Sequence, residues 1–448
     1  MADKLKIGII GAGVAGLAAA WDLARAGHEV HLYEGENVVG GLASGFRDEG
    51  WDWHLEKFYH HWFETDSHIR GLIDELGCSD KVLWPRPKTS YWLDGRIYRS
   101  EISPSALLLP LSLVAKIRLG LVGVYLKLTR NWRALEQETA HDWMLRYMGR
   151  EAYERLWQPL LIGKFSTLYQ EVNMAWLWAR IYTRSLRLGV FEGGFQAFVD
   201  TLAAAVQQYD AHIHLNTRVE RISLHDGLPV LTTGGQSETF DRVISTTSPA
   251  LMLRLTDGLA ATPYGQQMAE LKSIGGLCVV LALRQSLLTD GTYWLNLPAT
   301  SPDKSQNRFP FLALVEHTNW MPKEHYNGDT LIYCGDYVPP DHEYFQISED
   351  ELAQRFIAVL DQFNPDFTPD WVRRYWVFRA PYAQPVPGIN HSQKIPALKT
   401  PLPGIYWASM SQVYPWDRGT NYAVELGREV ARQILAERVE PAAAALSQ

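Results

Sequence analysis

Residues Gly11-Ala12-Gly13-Val14-Ala15-Gly16 constrain this chain more than any other segment. They lie between an apolar run at 5–10 that reads as a buried parallel strand and a stretch at 14–26 with small and apolar residues at helical spacing, closed by Gly27. Residues 29–33 read as a second strand, which completes a βαβ unit. Each glycine has its own task. Gly11 permits the tight turn, Gly13 lets a pyrophosphate approach the backbone, and Gly16 lets helix and strand pack closely. Val14 and Ala15 open the helix, whose N-terminus faces the negative charge. Glu34 ends the second strand, where a carboxylate accepts from ribose hydroxyls and repels a 2′-phosphate. The unit reads as a dinucleotide site that disfavours NADP.

A second glycine pair follows in Gly40-Gly41-Leu42-Ala43-Ser44, for which an NAD domain has no need. Further blocks stand along the chain: Glu192-Gly193-Gly194-Phe195-Gln196-Ala197 before a helix at 195–207, Asn216-Thr217-Arg218-Val219-Glu220-Arg221-Ile222, Arg242-Val243-Ile244-Ser245-Thr246, and Gly404-Ile405-Tyr406-Trp407-Ala408-Ser409. Jointly they resemble the flavin amine oxidase superfamily, which includes monoamine oxidases, protoporphyrinogen oxidases, phytoene desaturases and UDP-galactopyranose mutases. The resemblance runs from about residue 5 to 435 and is specific for the superfamily, not for one reaction. It implies an α/β fold, a Rossmann-type FAD-binding domain joined to a mixed α+β substrate domain. The expected boundaries are 1–70, 190–250 and 395–440 for a discontinuous cofactor domain, with 71–189 and 251–394 as the substrate domain.

The same resemblance implies the roles of particular residues. Gly40, Gly41, Leu42, Ala43 and Ser44 would cover the FAD pyrophosphate, and the backbone at Val219 would receive the adenine. Thr246 ends the strand that returns below the cofactor, and Ser409 follows the flavin-contacting strand. Two positions depart from the pattern. Phe198 stands where the helix entry has a leucine, and Met410 stands where the last strand is commonly followed by an acid. Asp417 arrives later, in a long loop at 411–419 that reads as a lid on the flavin or substrate side. Thr420 and Asn421 then begin the last helix, whose positive end suits the flavin edge that gains negative charge on reduction. Thr420 also reads as an ordinary helix cap. Covalent flavin links in the superfamily use a cysteine or histidine near the ring, and the C-terminal block offers neither, so the FAD is expected to be non-covalent, with His61 the one exception.

The segment Trp51-Asp52-Trp53-His54-Leu55-Glu56-Lys57-Phe58-Tyr59-His60-His61-Trp62-Phe63 packs aromatic and ionisable groups at a density that a plain core does not tolerate without partners. Its end, His61-Trp62-Phe63-Glu64-Thr65, is similar to the His-x-Phe-x-Thr run of UDP-galactopyranose mutases, which implies that His61 lies against the isoalloxazine. His61 is the candidate catalytic residue. His60 and Tyr414 are candidate substrate residues, and Glu56 with Lys57 reads equally as an exposed ion pair. Arg180 and Arg184, four apart on an expected helix, read either as an anion site or as a solvated face. Lys164, the 316–320 run, and Arg374, Arg379, Tyr382 and Gln384 are weaker candidates.

Composition removes several classes. A net charge of −8 argues against a nucleic-acid partner. Three cysteines, far apart and odd in number, point to a reducing cytoplasm rather than to disulfides. No metal-ligand spacing, no Ser-His-Asp order and no phosphate loop of the Walker type is present, and the chain opens directly into a strand with no room for a signal peptide. Residues 105–127 are mostly apolar but carry Pro110, Lys116 and Arg118. They read as a buried helix or as an interfacial segment on a membrane, not as a span. With 17 Trp and 21 Tyr the chain can wall a large apolar cavity. The leading expectation is an FAD-dependent oxidoreductase that oxidises or desaturates a bulky, largely apolar small molecule. A redox-neutral flavin-dependent isomerase or mutase is the alternative, and a non-catalytic flavin-binding scaffold the third reading.

Overall fold

The computed structural model describes residues 4–99 and 109–437. Strand β1 (Lys6–Ile10), helix α1 (Val14–Arg25) and strand β2 (Glu29–Tyr33) form the N-terminal unit, with Ile7 opposite Val30 and Ile9 opposite Leu32 in a parallel pair. The sheet then grows by strands from far along the chain. β3 (Ala211–His214) adds beside β2, β4 (Arg242–Ser245) beside β1, and β5 (Ile405–Trp407) beside β4, all in parallel. Alternate side chains enter two different cores. Ile7, Ile9, Ile244 and Tyr406 pack on the helical side. Ile10, Val243, Ile405 and Trp407 pack on the side covered by a three-stranded meander, where Leu231 and Phe240 join them. Burial on both faces is why these strands read as continuous apolar runs.

Four further helices are α2 (Leu113–Leu128), α3 (Met174–Thr183), α4 (Phe195–Val206) and α5 (Thr420–Ala436). α5 lies across α1 at a glycine: a Cβ on Gly427 would come 2.2 Å from the Ala15 carbonyl oxygen. A second, seven-stranded sheet is built in the order Val372–Pro385, Ser273–Leu283, Thr330–Val338, Ala313–Glu316, Trp294–Asn296, Thr89–Leu93 and Arg96–Arg99. The sequence at 69–182 reads as helix-rich, yet the last two strands of this sheet form a hairpin within it. The turn is Asp94-Gly95, both with positive φ, which is the geometry that matches strand twist in a two-residue loop.

The sequence at 151–161 reads as a helix with Tyr153, Leu156, Trp157 and Leu160 on one face, and the chain is helical there without a break from Arg150 to Phe165, with a wider π-helical turn at Tyr153–Trp157. One expectation is corrected. The apolar stretch at 105–127, whose residues 105–108 lie outside the described range, is not a buried helix. α2 buries only Ala115, Val122 and Leu126 and leaves Leu113, Val114, Ile117, Leu121, Val124, Tyr125 and Leu128 in solvent, Leu128 at 75% exposure. No helix among the described residues is long and apolar enough to cross a membrane.

Candidate active site

The glycine cradle is built by close approach. Gly11 has φ +100, and a Cβ there would meet the Thr246 hydroxyl at 2.4 Å. A Cβ on Gly16 would lie 2.1 Å from the Gly11 carbonyl oxygen, so α1 presses against the turn that precedes it. Thr246 is fixed beneath this turn, its N–H and hydroxyl both donating to the Ile10 carbonyl at 2.9 and 2.8 Å. The second glycine pair is latched to the first: Gly40 N–H donates to the Ala12 carbonyl at 2.9 Å, and Gly13 bridges to Gly40. Gly41 and Leu42 keep open surface, while Ala43 and Ser44 are buried. Gly13 caps α1 with no side chain to satisfy the first-turn N–H groups.

Glu34 accepts from the N–H groups of Ala12 and Glu36, each at 3.0 Å, and its own carbonyl accepts from Thr217 N–H at 2.7 Å. That bond brings the turn before Val219, itself buried, to the same end of the sheet. Uncapped backbone donors, glycines that admit a ligand and an adjacent carboxylate are the donor set that a dinucleotide's pyrophosphate and ribose require.

At the start of α5 the expected cap is corrected. Gly419 holds the cap position, and Thr420 instead accepts from Trp62 Nε1 at 2.8 Å. Asn421 Oδ1 accepts from the N–H groups of His68 and Ile69, at 2.9 and 3.1 Å, and so caps the helix Ser67–Glu75. Both side chains are occupied within the protein, while no side chain caps α5 itself. Ser409 is buried, its hydroxyl sharing a hydrogen bond with Tyr382 at 2.8 Å and its N–H donating to Gln412 Oε1 at 2.8 Å. Asp417 turns toward α3. It pairs with Arg180 and accepts from Trp176 Nε1 at 3.1 Å and Gln384 Nε2 at 3.4 Å. Burial opposes its charge, but Arg180, Lys164 and Arg418 outweigh that and hold the carboxyl far below its ordinary range.

The 51–63 segment runs alongside. Glu56 forms no surface ion pair with Lys57: it is buried and accepts from Phe195 N–H, at the start of α4, at 2.8 Å. Burial pushes its carboxyl up to about 7. His60 Nδ1 bonds to the Phe58 carbonyl at 2.5 Å, and burial pushes the ring down to about 4. His61 is pushed down to about 3 by burial and then by the charge of Arg184, and its buried Nδ1 has no hydrogen-bond partner among the described residues. Both rings are neutral at neutral pH. The orphaned nitrogen of His61 fits a ligand group as its partner. Trp62, next to it, ties this segment to α5 through Thr420.

The structure brings His60, His61, Arg180 and Arg184 into one region and uses other candidates differently. Arg180 lies in α3, its guanidinium 5.0 Å over Trp176, and Arg184 terminates that helix. Tyr382 is saturated by Ser409 and Ser411, and Tyr414 accepts from Asn173 at 3.0 Å. Arg374 pairs with Asp48, Arg379 donates to the carbonyls of Tyr344 and Ile347, and Glu316 accepts from Ser286 and Leu288. Lys164 sits 4.5 Å from the Tyr337 ring, and burial, with the charges of Arg180 and Arg418, holds its ammonium well below its ordinary value. Arg418 and Tyr337, joined at 2.5 Å, carried no signal in the sequence beyond the place of Arg418 in the 411–419 loop.

Residues 14–435 match the family model described as flavin containing amine oxidoreductase. A 15-cis-phytoene desaturase of Glycine max is 24% identical over 445 residues, covering 90% of this chain and 75% of its own. A putative protoporphyrinogen oxidase from Exiguobacterium superposes with a TM-score of 0.77 at 17% identity, over 98% of this chain and all of its own. A reduced UDP-galactopyranose mutase gives 0.76 at 17%, over 98% and 95%.

Proposed function

Because this chain belongs to the flavin containing amine oxidoreductases, we propose that it holds FAD without a covalent bond and oxidises or desaturates a bulky, largely apolar small molecule. The observation that carries the proposal is the doubled glycine cradle at the uncapped start of α1, with Glu34 at its edge. Gly11, Gly13 and Gly16 admit the pyrophosphate together with the 40–44 turn, Glu34 takes a ribose hydroxyl, and the backbone at Val219 takes the adenine. When bound, FAD supplies the acceptor for hydride or electrons. The protein contributes position and charge. The uncapped end of α5 favours negative charge at the flavin edge, neutral His61 offers its free nitrogen, and the aromatic wall formed with Tyr59 and Trp294 excludes water. Desaturation is the reaction named for the Glycine max relative, and it is the one we carry here.

The exposed apolar face of α2, with Arg118, Lys127 and Arg130 at its margins, supports a cytoplasmic protein that rests on an anionic membrane surface. The test of the main reading is direct. Heat-denatured protein releases FAD, not FMN or NAD, and candidate apolar substrates bleach the flavin anaerobically. Turnover only by pre-reduced enzyme, with no net electron consumption, would instead identify an isomerase.

A further inference from the structure

Four cationic side chains meet around α3 and the loop before α5 with a single carboxylate between them. Asp417 pairs with Arg180. Arg418 donates to Tyr337 at 2.5 Å and feels the charge of Asp417, but among the described residues its buried Nε has no hydrogen-bond partner. Lys164 lies over Tyr337 and Trp176 and makes no ion pair among the described residues. Arg184 makes none either. Its carbonyl accepts from Lys127 at 3.1 Å, but the groups that act on its guanidinium are Tyr91 and Arg180, with no acid among the described residues. Shared aromatic rings hold the group together: Lys164 and Arg180 both lie over Trp176, and Lys164 and Arg418 both lie over Tyr337. Arg184 keeps open surface, and Arg180 and Asp417 keep 42% and 22% of their side chains open. The cluster therefore runs from Lys164 and Arg418, which keep part of their surface, out to Arg180 and Arg184 in solvent, and forms a recess open at that end.

Cations gathered around one carboxylate repel one another, and an anion that reaches their open faces relieves that repulsion. The FAD phosphates are already provided for at the glycine cradle. We infer that the recess binds a substrate carrying an acidic group, a carboxylate or a phosphate, which Arg184 and Arg180 grip while the apolar body lies against Trp176, Tyr337, Tyr59 and Trp294. The inference rests on the oxidoreductase reading and narrows it: the substrate is an amphipathic acid and not a neutral hydrocarbon. Arg180, braced by Asp417 and by its stacking on Trp176, presents a fixed fork, and Arg184 has its whole donor set free.

The FAD-loaded protein is titrated calorimetrically with decanoate, decyl phosphate and decanol, probes that share a chain and differ in head group. Both anions are expected to bind at least about tenfold tighter than decanol, the ratio that about 1.4 kcal/mol produces, and the tighter of the two identifies the head group. Arg184→Gln should weaken the anions about tenfold or more and leave decanol and FAD content unchanged, with Arg184→Lys between the two. Equal binding of anions and decanol, no saturable anion binding, or a variant that loses FAD instead of anion affinity overturns the inference. Failure of the anions with normal flavin content and reduction leaves the oxidoreductase reading standing; a protein that releases no FAD overturns both.

Discussion

Replacing Glu56 by glutamine should stabilise the protein by an amount that grows as the pH rises from about 4.5 and is complete above about 7. The residue is 2% exposed, and the backbone hydrogen bonds its carboxyl accepts, from Phe195 and from its own N–H, do not offset its desolvation. Its pKa is therefore up to about 7 in the folded chain against 4.5 for the free group. Between those values the folded state binds more protons than the unfolded state, so stability falls as pH rises through the window and levels off above it. The gap is worth about 3 kcal/mol at 1.36 kcal/mol per unit. Glutamine keeps the shape and the oxygen that accepts from Phe195 but never ionises. With an unfolding entropy of about 2.1 cal/mol/K per residue, a chain of this length converts 3 kcal/mol into about 3 °C. Scanning calorimetry should place Glu56→Gln about 3 °C above the parent at pH 8 and within about 1 °C at pH 5. A variant that melts below the parent at pH 8, or an equal gap at both pH values, would refute the assignment of a buried, neutral-range carboxyl.

The remaining predictions separate the two halves of the flavin site. Gly16→Ala forces a Cβ toward the Gly11 carbonyl at 2.1 Å, so it should cost about 1–3 kcal/mol and lower the affinity for added FAD, read by equilibrium dialysis. His61→Ala should shift the flavin absorption band and lower turnover with FAD content near one per chain; a spectrally silent, fully active variant would make His61 a packing residue. Glu34→Arg should do the reverse, reducing FAD retention with little change in the spectrum of what remains.

The cofactor half of the molecule was legible because its constraints are local. A glycine that must turn, a helix that must begin and a strand buried on both faces each leave their mark within a few residues, as at 5–34 and 242–245. The Asp94-Gly95 hairpin was equally local, but its short strands were absorbed into a stretch otherwise rich in helix. The substrate side was harder to read because its partners are long-range. Nothing near Arg180 announces Asp417, 237 residues away, and nothing in Glu56 announces that it is to be sealed against α4 rather than paired with Lys57. Hydropathy likewise marked 105–127 as apolar without deciding whether protein would cover it; for most of α2, the chain itself does not.

The order of strands in the parallel sheet has a consequence for synthesis. β1 leaves the ribosome before the other strands of its sheet, yet one of its two neighbours, β4, is joined to it across 235 residues, and β5 emerges last of the five. Trp62 waits still longer for Thr420, 358 residues later. The nascent N-terminal half therefore carries a half-made sheet with an open, apolar edge through most of its elongation, a state prone to wrong pairing. Closing such distant contacts is entropically slow. A ligand that bridges the earliest and latest strands of this sheet would act as a clasp on the finished fold, so the yield of native protein in the cell should follow the supply of riboflavin during synthesis and not its supply afterwards.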